Sequence, residues 1–240
     1  MAVQYSFGQI VTNGLVLALD AADRNSYPGS GTTWRDLSTS GLSGTLTNGP
    51  TFSSANGGSI VFDGTNDFVS SSVGTTLDIG TSVSVTLSCW VRYTASASNY
   101  TGLVCKATST NPMTGFQMLL YTNKLSCELA AGTGVFVGPL TGLLGTTTLN
   151  TGQWFNTVIT VNRSTNTVIA YVNGVLESSQ TNASVSTSNL TSTSNLLIGT
   201  ERTPVLFLNG NIANVQIYNR ALSATEILQN YNAQKSRFNL

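Results

Sequence analysis

Apolar and polar residues alternate with a period of two along most of this chain, which is the spacing of strands that bury one face. The clearest run is 83–93. Val83, Val85, Leu87, Cys89 and Val91 alternate there with Ser84, Thr86, Ser88, Trp90 and Arg92, predicting a half-buried antiparallel strand. Residues 15–20 carry Leu15, Leu17 and Leu19 on one face and Val16 and Ala18 on the other, so this strand is expected to be covered on both sides. Further strands are predicted over 60–63, 68–70, 102–107, 115–121, 124–130, 153–162, 167–172, 175–178, 195–199 and 211–218. Asn173-Gly174 is a strong signal for a tight hairpin turn with positive φ at both positions. Thr122-Asn123 predicts a second short turn.

The period changes near the C-terminus. Asn219 to Leu222 breaks the last strand, and Ser223 stands three residues before Glu226, the spacing of a capping box. Ile227, Leu228 and Tyr231 supply the apolar stripe of one short helix. Two stretches have no strong period. Residues 21–57 are punctuated by Gly, Pro and Asn pairs and read as a long loop, anchored by Trp34 and Leu37. Residues 179–194 are rich in Ser, Thr and Asn and predict a mobile loop. Short strands, turn signals and one terminal helix predict an all-β chain: a two-sheet antiparallel β-sandwich with one short C-terminal helix. Residues 1–13 read as an N-terminal arm and 14–240 as a single domain. In the arm, Tyr5, Phe7 and Ile10 are candidate interface residues; the alternative is an edge segment folded onto its own sandwich.

Several segments carry a family resemblance. They are GLVLALDAADRNSYPGSGTTWRDL at 14–37, GSIVFDGTNDFV at 58–69, QWF followed by TVITVN and TVIAYVNGV from 153, and NIANVQIYNRALSATEILQNYNAQKSRF at 211–238. In their order and spacing, these resemble laminin G-like, concanavalin A-type jelly-roll domains. SYPGSGTTW and IYNRALSATEI resemble the wording found in tailed-bacteriophage virion proteins of that superfamily. The resemblance implies a jelly roll and a virion setting.

Composition narrows the function classes. Charged residues make up 8% of the 240 and the net charge is zero, against about 25% charged in ordinary soluble proteins. Hydrophobic residues at 40% in strand-length runs argue against disorder. Ten scattered basic residues do not make the clustered patch that nucleic acid requires. No run approaches a membrane span, and the first residues lack the features of a signal peptide. Synthesis in a host cytosol is therefore expected, and residence in a virion is what the resemblance implies. Three cysteines, Cys89, Cys105 and Cys127, do not suggest a disulfide framework and read as small buried hydrophobes.

Histidine is absent, which removes any Ser-His or Cys-His nucleophile system. Some jelly-roll relatives are glucanases with acids at alternate positions of one strand, and no strand here has that pattern. No catalytic residue is assigned. Asp63 and Asp67 flank a tight turn that offers oxygens for Ca²⁺. The resemblance adds a position just before the last strand, where this chain has Ala213 and Asn214 in place of an acidic pair. Asp63, Asp67 and Asn214 thus form a weak calcium set; otherwise the two aspartates fix the turn through backbone hydrogen bonds. Asp20, Asp23 and Asp36 read as loop fixers. Aromatic side chains on loops are candidate glycan contacts: Tyr27, Trp34, Tyr100 and Tyr121. Trp90 and Trp154 read as core. The expected function is a non-enzymatic phage virion surface protein, as capsid decoration or a neck or tail accessory. It would be multi-copy or homo-oligomeric and contact other virion proteins and host surface glycans, with no cofactor or with calcium. The alternative is a calcium-dependent lectin module.

Overall fold

Alternation of this kind resolves into two stacked sheets, because each strand has one apolar face to bury. The computed structural model describes residues 9–72, 77–95 and 98–240. In chain order the strands are β1 (Leu15–Asp20), β2 (Thr33–Trp34), β3 (Gly44–Thr47), β4 (Thr51–Ser53), β5 (Ser59–Asp63), β6 (Phe68–Ser71), β7 (Val85–Ala95) and β8 (Tyr100–Ala107). Then come β9 (Thr114–Tyr121), β10 (Lys124–Ala131), β11 (Val135–Val137), β12 (Trp154–Asn162), β13 (Thr167–Val172), β14 (Val175–Thr181), β15 (Leu196–Ile198) and β16 (Asn209–Tyr218). One helical turn, α1 (Ser184–Thr187), and one helix, α2 (Ala224–Gln234), complete the described elements, with short 3-10 turns at Ala55–Gly57 and Lys235–Phe238.

The first sheet has the order β14-β13-β12-β7-β16-β5-β4, with β1 also paired to β16. The second has the order β11-β10-β9-β8-β15-β6-β3-β2. Neighbouring strands are antiparallel, and their registers follow the alternation read from the sequence. Leu87, Cys89, Val91, Ile159, Val161, Val215 and Ile217 of the first sheet face Phe116, Met118, Leu120, Leu125, Cys127 and Leu129 of the second in one continuous core.

The first sheet's outer face is also covered, by the C-terminal segment. Ser223 caps α2, and Glu226 returns the bond to the Ser223 backbone, which is the capping box predicted from the sequence. Trp90 stacks on Phe238 at 4.0 Å and on Tyr231 at 5.8 Å, and Trp154 lies 4.8 Å from Phe238. Trp90 and Trp154 are thus buried as expected, but under the helix rather than between the sheets. The predicted helical stripe needs correction. Ile227 is buried, yet Leu228 is exposed, and Asn230, Ala233 and Gln234 complete the buried face.

Two loop assignments are also revised. Residues 21–57 contain three short strands, because Trp34 and Leu46 carry the chain back into the core. Residues 179–194 are not a loose loop: β14 runs to Thr181 and α1 follows. Arg163, only 5% exposed, pins this stretch. Its Nη1 donates to Val185 O and Ser188 O, its Nε to Val83 O and its Nη2 to Gly80 O. A buried guanidinium has five donors to satisfy, and main-chain carbonyls supply the acceptors.

The described part of the N-terminal arm lies on its own sandwich. Val11 N donates to Asn230 Oδ1 at 2.8 Å, and Gln229 Nε2 donates to Gln9 O at 2.9 Å. Ile10 is half-buried in this run. Tyr5 and Phe7 lie outside the described residues.

Candidate functional site

The second sheet keeps part of its outer face open. On β9 and β10, Gln117, Tyr121, Lys124 and Glu128 alternate with the core residues and so point away from the first sheet. Three loops rise around this face and leave a cleft of about 460 Å³, within the size range of small-ligand sites. Tyr100 from β8 and Glu128 from β10 come from the strands. Pro112 and Met113 come from the β8–β9 loop. Val135, Pro139 and Leu140 come from the segment after β10, and Glu201, Arg202 and Leu206 from the β15–β16 loop.

The electrostatics of the floor follow from burial. Gln117 Nε2 donates to Glu128 Oε2 at 2.7 Å, across a registered β9–β10 pair. Desolvation pushes the Glu128 carboxyl up, against the lowering effects of Gln117 and Arg202. The Tyr100 hydroxyl is pushed up to about 12 by burial and by Glu128 beside it. Polar atoms remain unmatched near this floor: Gln117 Oε1 and Arg202 Nε are buried and have no hydrogen-bond partner. Such orphans are costly and rare. Arg202 Nη1 already donates to Thr110 O at 3.3 Å, and Glu201 Oε1 accepts from Thr203 Oγ1 at 2.8 Å. Beneath the cleft, Cys105 packs with Ala107, Met113 and Ala130. Its thiol is pushed up to about 12 by desolvation, which makes it inert.

The aromatic candidates divide. Tyr100 and Tyr121 are brought together as a cross-strand pair, with ring centroids 4.7 Å apart and planes tilted by 60°. Tyr100 lines the cleft, and Tyr121 stands beside it. Tyr27 and Trp34 are not on this surface. Trp34 is fully buried and Tyr27 is 3% exposed, both in the main core. The Tyr27 hydroxyl donates to Gly31 O at 2.7 Å, so its polar tip closes its own loop. The apolar bodies of these rings were worth more to the sandwich than to a surface site.

The calcium set does not converge. Asp63 N donates to Asp67 Oδ2 at 3.1 Å, and Thr65 N donates to Asp63 Oδ1 at 2.8 Å. These are turn-fixing bonds. The Thr65 backbone holds the Asp63 carboxyl below its usual range, whereas burial raises that of Asp67. Asn214 stands five residues along β16 from Asn209, the partner of Asp63, hence about 16 Å away at about 3.3 Å per residue. Its amide donates to Gln234 Oε1 at 2.7 Å under α2. Among the described residues no group of three or more His, Cys, Asp or Glu is arranged to hold a metal. Asp36 behaves as a loop fixer, with Ala18 N, Ser38 N and Leu42 N all donating to its carboxylate.

Sequence reasoning did not single out Glu128, Gln117, Glu201 or Arg202 for the site. For Glu128 a signal existed: it is an acid on a strand whose opposite face is Leu125, Cys127 and Leu129. The two loop residues had none, because the β15–β16 loop reaches the cleft only through the pairing of β15 with β8.

No curated protein matches the chain. The fold is similar to several solved structures. One is the binding domain of Paraclostridial Mosquitocidal Protein 1, at 16% identity and TM-score 0.69, covering 92% of this chain and 52% of that one. Another is the botulinum neurotoxin serotype D ligand binding domain in complex with N-acetylneuraminic acid, at 15% identity and TM-score 0.71, covering 92% and 51%. A third is the binding domain of botulinum neurotoxin DC in complex with rat synaptotagmin II, at 15% identity and TM-score 0.70, covering 92% and 52%. The chain therefore spans about half the length of the structures it matches. The sequence profile of one family matches residues 51–228, and by that match the chain belongs to the concanavalin A-like lectin/glucanases superfamily.

Proposed function

We propose that this chain is a non-enzymatic recognition module that holds a glycan in the cleft on the second sheet. One observation carries the reading: Glu128, Glu201 and Arg202 line a cleft whose other walls are largely apolar, from Pro112, Met113, Val135, Pro139, Leu140 and Leu206. A few placed polar groups within apolar walls make a small-ligand site. The Tyr100–Tyr121 pair adds aromatic surface for a sugar face. The neighbours with N-acetylneuraminic acid and with synaptotagmin II bound support binding as the general role of such sandwiches, for glycan and protein partners alike. As the carrier we propose a tailed-phage virion, with multiple copies contacting other virion proteins. Its support is the wording at 26–34 and 217–227 and the low charge.

A glycan screen with wild type and Tyr100→Ala tests the binding role. Retention of at least one glycan class by wild type, and its loss in the variant, is the expected result. Co-purification with phage particles tests the carrier. A second reading is hydrolysis, because two carboxylates, Glu128 and Glu201, line the same cleft and burial raises one of them, as a two-carboxylate glycosidase requires. Release of reducing ends by the pure protein, abolished by Glu128→Gln, would favour that reading over simple binding.

A further inference from the structure

The charges around the cleft point to a selectivity, and this inference rests on the glycan reading above. Two carboxylates, Glu128 and Glu201, line the cleft against one guanidinium, Arg202. Lys124, the next basic residue on the same face, sits at the β9–β10 turn opposite Tyr121 and does not line the cleft. Arg202 is also poorly arranged for a carboxylate. Paired recognition of a carboxylate uses two parallel N–H donors of the fork. Here Nη1 is spent on Thr110 O and Nε is buried, so of the fork Nη2 alone is left to face a ligand. That geometry suits one hydroxyl oxygen. The Glu128 carboxylate in the cleft offers an acceptor, which a hydroxyl can satisfy and a second carboxylate cannot.

We infer that the cleft takes glycans with uncharged terminal sugars and turns away those ending in a carboxylate sugar. Rejection here acts through like charge placed against the wrong ligand rather than through new contacts to the right one. Because the carboxylates are partly desolvated, the repulsion resists salt better than an exposed pair would.

The test uses matched oligosaccharides, with terminal galactose or with the same galactose capped by sialic acid. Their affinities are measured by calorimetry for wild type, Tyr100→Ala and Glu201→Gln. Expected is about a tenfold preference for the uncapped form, the scale of one like-charge contact at intermediate dielectric. Glu201→Gln should narrow the gap several-fold. The gap should also shrink as pH is lowered, because burial makes the Glu128 carboxyl take up its proton more readily. Equal or tighter binding of the sialylated form through the cleft, lost in Tyr100→Ala, would overturn the selectivity and leave the glycan reading standing. Binding of neither form, or binding indifferent to Tyr100→Ala, would sink the reading itself. Glu201→Gln sits on a half-buried loop position, and its thermal melt separates lost folding from lost selectivity.

Discussion

Single side chains decide what the second sheet's outer face can do. Glu128 is the clearest case. Its carboxyl is raised by desolvation, so the folded state holds that proton more tightly than the unfolded chain does. The sign follows from linkage: stability from the protonated form is present at low pH and is lost as pH rises through the raised pKa. Glu128→Gln keeps an acceptor for Gln117 and removes the charge. Thermal melts should therefore show the variant more stable than wild type at pH 8 and equal to it near pH 4. Gly102 sets a packing limit nearby. A Cβ there would lie 2.1 Å from Thr200 O, a main-chain atom that cannot rotate away. Gly102→Ala should cost about 1–3 kcal/mol or more in urea unfolding, and it should disturb the β8–β15 junction that carries Arg202 to the cleft. An unchanged midpoint would contradict that placement.

At the scale of elements, α2 shows which features are written locally. The Ser-x-x-Glu spacing is a short-range signal, and the structure forms it as read. Glu226 also takes a two-pronged bond from Arg220, at 2.9 and 2.6 Å. Arg220 first and the Ser223 backbone next pull the Glu226 pKa down to about 2. A depressed acid contributes stability above its unfolded pKa and loses it as pH falls through the folded value. Wild type should therefore lose stability between about pH 4.5 and 2, and Glu226→Gln should flatten that slope. Ser223→Ala should cost about 1 kcal/mol at neutral pH, read by chemical denaturation. The turns Thr122-Asn123 and Asn173-Gly174 were equally legible, and all four residues adopt positive φ. What the sequence concealed was long-range. Arg163 reads as one more turn residue, yet it anchors carbonyls 20 or more positions away, so a Ser/Thr/Asn run passes for a loose loop. Arg163→Ala should raise hydrogen exchange selectively across 183–190, whereas uniform protection would contradict the clamp. The aromatic candidates mislead for a related reason: Tyr27 and Trp34 lie in a Gly- and Pro-rich stretch, and only tertiary packing shows that it folds inward.

For the whole molecule, the sequence pattern was a good guide to architecture and a poor one to the site. Alternation fixes which face of a strand is greasy, and two such sheets can stack in few ways. It does not say which outer face stays open. Here α2 and the C-terminal residues close the first sheet, with Trp90, Trp154 and Phe238 as the seal. Phe238→Ala should cost about 3–5 kcal/mol by destabilising that cover, without altering ligand affinity at the opposite sheet. The second sheet is left with a cleft whose walls come from three connections separated by up to about a hundred residues. Of four aromatic candidates only Tyr100 lines it, with Tyr121 paired beside it, and the polar groups around them emerge only once the strands are in register. The most direct test is a backbone amide NMR titration with a screened glycan. Binding in the cleft predicts shift changes clustered at Tyr100, Gln117, Glu128, Leu140 and Arg202. Changes centred instead on Asp63, Asp67 or the outer surface of α2, with those five unmoved, would contradict it.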